Sequence, residues 1–291
     1  MLEENRPKGE AMRNAYYNGV FSADTDVRIP LTDRCVFFGD GVYDAMIGKS
    51  RRIHLADEHI DRLYRSASAI GLRVRETKEE LKTLLYEVVK NSGLDSYFLY
   101  VQLTRSSPRR THASNSDSPA NILIKADAHE LPTPDSTVTL TLTEDLRYYM
   151  CNVKTLNLLP AVLASTAAES NGFDETVFVR GDAVTECAHS NIAIVKSGVI
   201  ITHPDSNLIL PGITKSELLK TAKKLSIPIN ERPFTKEELF NADSVLVMST
   251  SKLVLEARKI DSITLPTGKN ETSKRLICAT FENYWKSMEE H

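Results

Sequence analysis

The stretch from Tyr148 to Ala164 reads YYMCNVKTLNLLPAVLA, and Lys154 is its only charged residue. Burial destabilises an ammonium ion, so the pKa of a lysine among buried apolar neighbours should fall. A lysine that is neutral near pH 7 can condense with an aldehyde to form a Schiff base. The alternative is a lysine that reaches solvent along its stem. The choice depends on whether its apolar neighbours are buried, and these are Met150, Val153, Leu156, Leu158 and Leu159.

The length and composition are those of an ordinary protein, and the length favours two domains. It has 291 residues, 41% of them hydrophobic and 26% charged, and a formal net charge of −3. The absence of a basic excess argues against a nucleic-acid partner. No apolar run is long enough to cross a bilayer, and the polar start MLEENRPKGE lacks a signal-peptide core, which predicts a cytoplasmic location. The four cysteines form no CxxC pair and the histidines have poor ligand spacing, so no metal is predicted.

A composition break indicates where the two domains meet. In HELPTPDST, residues 129–137, two prolines stand among polar residues, as in a linker. The chain is therefore divided into a small N-terminal α/β domain, 1–128, and a larger C-terminal domain, 138–291. Both parts mix helical and strand patterns, so the predicted fold class is α/β (α+β).

The first half contains a hairpin, a glycine turn and a helix. Short strands are predicted between Asn14 and Asp33, where AYYNGVF carries an Asn-Gly hairpin signal. The glycines of residues 39–41 allow a tight turn and a close approach to the backbone. A helix entered at Asp57 would bury a stripe, and Arg62 lies off it, as a solvated arginine does. The stripe consists of Ile60, Leu63, Ala67 and Ile70.

A cationic loop, TRSSPRRTH at residues 104–112, follows the predicted buried strand YFLYVQL. It contains Arg105, Arg109, Arg110 and His112 and no acid. Guanidinium groups make paired hydrogen bonds to carboxylates, so the loop suits a small anionic substrate. The alternative is an exposed loop that is merely basic.

In the second half, a lysine and an acid stand in apolar surroundings. VTLTLT predicts a half-buried strand, and Asn157 and Pro160 suit the start of a helix that runs to Gly172. Lys154 would then lie at or near a strand end, just before that helix. Glu186 follows Val184 and Thr185 in a predicted strand, and a carboxylate there is either paired on the surface or functional.

Two further motifs suit an anion. A helix is predicted from Thr214, with the capping box TKSE and a glycine ahead of it. The free N–H groups and the positive dipole end of such a start can bind phosphate, although most helix starts bind only water. Ser249, Thr250 and Ser251 interrupt a strand pattern, and they could donate to the same anion or stabilise a turn.

These pieces match what pyridoxal 5′-phosphate requires: an amine for its aldehyde, donors for its phosphate and a carboxylate for its ring nitrogen. The chain resembles the class IV aminotransferases, the fold type IV pyridoxal-phosphate enzymes, from about Tyr16 to Tyr284. Among them the D-amino acid (D-alanine) aminotransferases are the most similar. The resemblance rests on seven motifs in order, FFGDGVYD, DEHIDRLYRSA, SPRRTH, KTLNLLPAVLA, VTECAHSN, LPGIT and MSTS.

This resemblance implies a two-domain fold with the cofactor at the domain interface and transamination between a D-amino acid and a 2-oxo acid. It implies Lys154 as the Schiff-base lysine and proton carrier, and Glu186 as the partner of the pyridine nitrogen. The remaining cofactor contacts would be Arg62, Ile213, Thr214, Ser249 and Thr250 at the phosphate, with Leu210 on the ring face. The substrate carboxylate would be bound by Tyr43, Arg110 and His112.

The resemblance further implies a homodimer, since Arg110 and His112 are expected to come from the neighbouring subunit. The chain departs from the pattern at Cys187-Ala188-His189, at Asp44 in place of a glutamate, and at the additional Arg109. Rivals within the family are an L-branched-chain aminotransferase and an aminodeoxychorismate lyase, and the SPRRTH loop argues against both. Outside it, the alternatives are a non-catalytic binding protein and an aldolase that uses Lys154 without a cofactor.

Overall fold

The computed structural model describes residues 13–106, 109–114 and 117–289 and is a mixed α/β protein with two sheets. The predicted fold class is therefore confirmed. The chain divides into two compact units, one up to Glu130 and one from Leu131 onward. The linker at 129–137 and the domain limits beside it stay predictions.

The first unit is built on a six-stranded sheet with the order β2-β1-β6-β5-β3-β4, in which the paired strands run antiparallel. Its strands are β1 (Ala15–Tyr17), β2 (Val20–Ser22), β3 (Gly41–Lys49), β4 (Arg52–Ile53), β5 (Ser96–Thr104) and β6 (Asn121–Ala128). Its helices are α1 (Arg34–Phe38), α2 (Ala56–Ala69) and α3 (Lys78–Ser92).

The start of the first unit is only partly as predicted. The Asn-Gly hairpin is confirmed, because β1 pairs with β2 around Asn18 and Gly19, whose φ angles are 42° and 95°. The prediction of strands up to Asp33 is wrong, since a 3-10 turn and irregular backbone follow β2. Asp33 then caps α1 by accepting a hydrogen bond from the amide of Cys35 at 2.9 Å.

Helix α2 packs against β3 and buries Ile60, Leu63 and Ala67 of the predicted stripe, while Ile70 is half-buried and is the C-cap of the helix. Val42, Asp44 and Met46 alternate along β3 and are fully buried, as the period of a strand requires. The expectation that Arg62 is solvated is wrong, because this residue of α2 is only 4% exposed. Its guanidinium is bound by the Asp44 carboxylate, which offsets the cost of burying both charges.

The second unit contains a ten-stranded sheet with the order β12-β11-β10-β14-β15-β7-β8-β9-β13, and β16 pairs with β15. Its strands are β7 (Thr137–Glu144), β8 (Glu175–Arg180), β9 (Ala183–Cys187), β10 (Asn191–Lys196), β11 (Val199–Thr202), β12 (Ile229–Glu231), β13 (Phe234–Thr235), β14 (Ser244–Ser249), β15 (Leu253–Ile260) and β16 (Ile263–Thr264). Its helices are α4 (Leu159–Ser170), α5 (Ile213–Lys224), α6 (Lys236–Phe240) and α7 (Glu271–Glu289).

Two predictions about the second unit are wrong in detail. Lys154 does not lie at a strand end, because β7 ends at Glu144 and a long connection separates it from α4. Helix α5 does not begin with a capping box at Thr214, since Gly212 is its N-cap and no side chain caps it. Thr214 therefore lies inside the first turn. No helix in the described ranges has the length and apolar character of a membrane span, and the cytoplasmic location stays a prediction.

Candidate active site

Glu186, on β9, is only 4% exposed and accepts hydrogen bonds from three directions. Arg147 Nη1 donates to Oε1 at 2.5 Å, and Asn191 Nδ2 donates to Oε2 at 2.9 Å. The amide of Leu210 donates to both oxygens, at 3.1 and 3.0 Å. Burial raises the pKa of Glu186 to about 7, although Arg147, the Leu210 amide and Lys154 all favour its charged form.

Arg147 and Asn191 complete this arrangement, and the sequence analysis missed both. Arg147 stands one residue before the stretch that begins at Tyr148, and Asp145 fixes its guanidinium at 2.9 and 3.0 Å. The sequence feature that could have identified Arg147 is its spacing from Asp145. An arginine two residues after an acid can bind that acid and still reach a second one. Asn191 Nδ2 also donates to the carbonyl of Leu210 at 3.0 Å, so it links β10 to the Leu210 loop.

Lys154 is half-buried in the connection between β7 and α4. Its charge lowers the pKa of the Glu186 carboxyl, by less than Arg147 and the Leu210 amide do. The expectation of buried apolar neighbours holds for Val153 but is wrong for Met150, Leu158 and Leu159, which are exposed.

The predicted phosphate-binding residues of the second unit lie where α5 begins and β14 ends. Ile213 and Thr214 are buried in the first turn of α5, which packs against β14. Ser249 ends β14 and is buried, and Thr250 is half-buried in the turn that follows. Asn191 pairs with Met248 in the sheet, and its Oδ1 lies only 1.8 Å from where a Cβ on Gly212 would stand. Asn191 therefore connects the start of α5 to Glu186, to which its Nδ2 donates.

In the first unit, Arg62 belongs to a buried trio with Asp44 and His59. Arg62 Nε and Nη2 each donate to Asp44 at 2.8 Å, and His59 Nδ1 lies 2.7 Å from Asp44 Oδ1. Burial raises the pKa of Asp44, but the charges of Arg62 and His59 outweigh it and hold that pKa well below 3.8. Asp44 therefore stays ionised and fixes the orientation of Arg62.

The three residues predicted to bind a carboxylate occupy two places in the first unit. Tyr43 is half-buried on β3 and stacks on Tyr100 at 5.5 Å. Arg110 and His112 are exposed in the cationic loop, and both contact the ring of Phe38, at 5.1 and 5.5 Å. The loop also lies partly outside the described residues, because Ser107 and Pro108 of the SPRRTH motif are not among them.

Arg105, which the sequence groups with the cations of this loop, is not open to an anion. Its Nε donates to the Asp40 carboxylate at 3.1 and 3.2 Å. Its two Nη atoms donate to the carbonyls of Ile70 and Gly71, at 2.6 and 3.0 Å. Arg105 thus ties the end of β5 to the end of α2.

Comparison with known sequences identifies the family. A family model described as amino-transferase class IV matches residues 41–260. The chain is 37% identical over 249 residues to a D-alanine aminotransferase of Listeria monocytogenes, which covers 84% of this chain and 86% of that protein. It is 36% identical over 280 residues to a D-alanine aminotransferase of Staphylococcus epidermidis, covering 95% of this chain and 99% of that protein.

Solved structures share the same fold at lower sequence identity. The branched-chain aminotransferase of Escherichia coli superposes with a TM-score of 0.85 at 22% identity, and the match covers 96% of this chain and 97% of that chain. A putative 4-amino-4-deoxychorismate lyase of Legionella pneumophila gives a TM-score of 0.83 at 20% identity, with 89% and 97% covered. These similarities establish the fold but do not separate the activities within it.

We predict that Asp44→Asn destabilises the protein by about 3–5 kcal/mol, because it leaves the buried charge of Arg62 without its partner. Asp61→Asn is the matched control on α2, where the pair with Lys78 is exposed and its loss should cost less than about 1 kcal/mol. Urea unfolding at neutral pH measures both. Equal losses in the two variants would contradict the assignment.

The same pair predicts how stability depends on pH. The pKa of Asp44 is lower in the folded than in the unfolded chain. The stabilisation that ionised Asp44 gives the folded chain is therefore complete above its ordinary pKa of 3.8. This stabilisation is lost as the pH falls through the lower pKa of Asp44 in the folded chain. Unfolding free energies measured from pH 6 downward should fall more steeply for the wild type than for Asp44→Asn. Parallel curves would show that Asp44 does not carry this dependence.

Gly212→Ala should destabilise the second unit by about 1–3 kcal/mol, because the new methyl group cannot share space with Asn191 Oδ1. Ser216→Ala, on the exposed side of the first turns of α5, is the matched control and should change little. The double variant Asn191→Ala/Gly212→Ala should lose less than the sum of its single variants, since the clash is gone. Additive losses would refute the proposed contact.

Proposed function

This chain belongs to the class IV aminotransferases, and we propose that it transfers the amino group of a D-amino acid, such as D-alanine or D-glutamate, to a 2-oxo acid. The observation that carries the proposal is the buried carboxylate of Glu186, which Arg147, Asn191 and the Leu210 amide bind and whose charged form Lys154 favours electrostatically. The curated relatives named D-alanine aminotransferases favour a D-amino acid as the donor. An amine for the aldehyde and a buried acid for the ring nitrogen are what transamination with pyridoxal 5′-phosphate requires.

The residues present fit pyridoxal 5′-phosphate. Among the described residues, the hydroxyl oxygen of Ser249 is buried without a hydrogen-bond partner, and it lies beside a helix start whose first N–H groups lack partners within the helix. A phosphate accepts from such donors. The proposed phosphate contacts are Ile213, Thr214, Ser249, Thr250 and Arg62, with Leu210 packed on the ring face.

When bound, pyridoxal 5′-phosphate supplies a ring that accepts electrons from the substrate. Lys154 would be the amine that bonds the aldehyde of the cofactor, and it would carry the proton that leaves the substrate Cα. Glu186 would keep the ring nitrogen of the bound cofactor protonated. Arg147, Asn191 and the Leu210 amide keep the Glu186 carboxylate in place.

Tyr43, Arg110 and His112 are proposed to bind the substrate carboxylate, and the arginine and histidine would serve the site of the neighbouring subunit. A homodimer is supported by the apolar surface of the second unit. Three large apolar side chains of helix α4, those of Leu159, Val162 and Leu163, are exposed in the single chain. A surface of this kind is typical of a protein interface.

Lys154→Ala should abolish both the visible absorbance of the bound cofactor and transamination of D-alanine, because no other amine would bond the aldehyde. Lys196→Ala is the matched control, since Lys196 is exposed and paired with Asp243. Absorbance spectra and coupled product assays measure both effects. Turnover retained by Lys154→Ala would refute the proposed role.

Substrate choice separates the proposed function from its rivals. Half-reactions followed at the cofactor absorbance should run faster with D-alanine than with L-leucine. A faster reaction with L-leucine would favour a branched-chain aminotransferase, and release of an aromatic amine from aminodeoxychorismate would favour the lyase. A purified protein that neither holds nor takes up the cofactor would favour a non-catalytic protein.

The dimer is tested by placing a charge on α4. Leu163→Asp should shift the sedimentation coefficient from a dimer towards a monomer, because a buried carboxylate without a partner is costly. Val20→Asp is the control, since Val20 is equally exposed, at 63% against 61% for Leu163, but lies on β2. A wild type that sediments as a monomer would overturn the proposed assembly.

A further inference from the structure

The ring of Phe38 is surrounded by three basic side chains. The Arg34 guanidinium lies 4.6 Å from the ring centroid and that of Arg110 lies 5.1 Å from it. The ring of His112 lies 5.5 Å away. An aromatic face attracts cations, so Phe38 provides a surface on which Arg110 and His112 lie side by side.

Arg34 is the one of these three that faces inward, with 5% of its surface exposed. Its Nε donates to Asp40 at 2.7 Å. Nη1 donates to the carbonyl of Thr111 at 2.5 Å, and Nη2 donates to the carbonyl of His112 at 3.0 Å. The Arg34 guanidinium therefore holds the carbonyls of two consecutive residues of the cationic loop, Thr111 and His112. The side chains of Arg110 and His112 are exposed to solvent.

The loop has little regular structure of its own to fix it. Residues 109–114 belong to no helix or strand. Within this segment Thr111 N donates to the carbonyl of Arg109 at 3.1 Å, and the Thr111 hydroxyl donates to the carbonyl of Ala113 at 2.7 Å. A segment outside the helices and strands takes much of its position from the groups that bind it. Arg34 supplies two such bonds.

We infer that Arg34 is a positioning residue for the substrate carboxylate, because it holds the backbone of the loop whose side chains Arg110 and His112 bind that carboxylate. The inference rests on the proposed function. Arg34 itself does not touch the substrate, since Asp40 and the two carbonyls take up its Nε, Nη1 and Nη2. Phe38 supports the same loop by packing against its two basic side chains.

Arg105 offers a matched control for this role. It shares Asp40 with Arg34 and, like Arg34, donates to two consecutive carbonyls. Those carbonyls belong to Ile70 and Gly71 at the end of α2 and not to the cationic loop. Replacing either arginine by lysine keeps the charge and removes the forked set of donors. Only Arg34 donates to the carbonyls of residues 111–112, so only its replacement removes hydrogen bonds to that part of the loop.

Steady-state kinetics of the holoenzyme tests the inference. Arg34→Lys should raise the KM for D-alanine about 10-fold or more with kcat changed less than about 3-fold, because it weakens carboxylate binding in the ground and transition states alike. Arg105→Lys should change both constants less than about 3-fold. An unchanged KM in Arg34→Lys, or an equal rise in both variants, would overturn the inference. Phe38→Leu is a second variant, which removes the ring that Arg110 and His112 contact, and it should show the same rise in the KM for D-alanine. It tests the inference if Arg34→Lys does not fold.

Hydrogen exchange of the amides in residues 109–114 gives a readout that does not depend on turnover. Exchange should be faster in Arg34→Lys than in the wild type and in Arg105→Lys. Propionate, a small carboxylate, should slow the exchange of these amides in the wild type. Equal exchange in the two lysine variants would overturn the inference. A wild type that fails to transaminate D-alanine would refute the proposed function, and the exchange rates would still decide whether Arg34 positions the loop.

Discussion

The burial of Glu186 is the constraint on which the rest of the second unit depends. A buried carboxylate is costly unless charges and hydrogen bonds replace the water that it loses. Arg147, Asn191 and the Leu210 amide provide that replacement, and each comes from a different part of the chain. The connection before α4, the start of β10 and the loop before α5 are therefore brought to one point. The charge of Lys154 also lowers the pKa of this carboxyl.

In the first unit, buried charges likewise have bound partners. Its arginines are of two kinds, buried and exposed. Arg62 and Arg34 are buried, and a carboxylate binds each of them: Asp44 in one case and Asp40 in the other. Arg110 is exposed and lies on an aromatic ring. No carboxylate of the described residues is within ion-pair distance of it. The two buried arginines thus fix the structure, while the guanidinium of Arg110 stays on the surface.

The sequence led to the correct family but misjudged several local environments. Arg62 lies off the apolar stripe of α2, so helical spacing by itself predicts that it is solvated, and only the sheet beneath supplies Asp44. Arg147 escaped notice because its functional partner, Glu186, is 39 residues further along the chain. Thr214 carries a good capping pattern, yet Gly212 begins the helix, where a Cβ would meet Asn191. In each case a distant residue decided the outcome.

What the sequence by itself determined was the set of elements and the order of the motifs. The Asn-Gly hairpin and the strands on either side of Ser249-Thr250-Ser251 are local, because they depend on residues only a few positions apart. Only the tertiary structure decided which charges are buried together. The energy of a buried charge depends on partners that the fold brings from far along the chain, and no local pattern records that proximity.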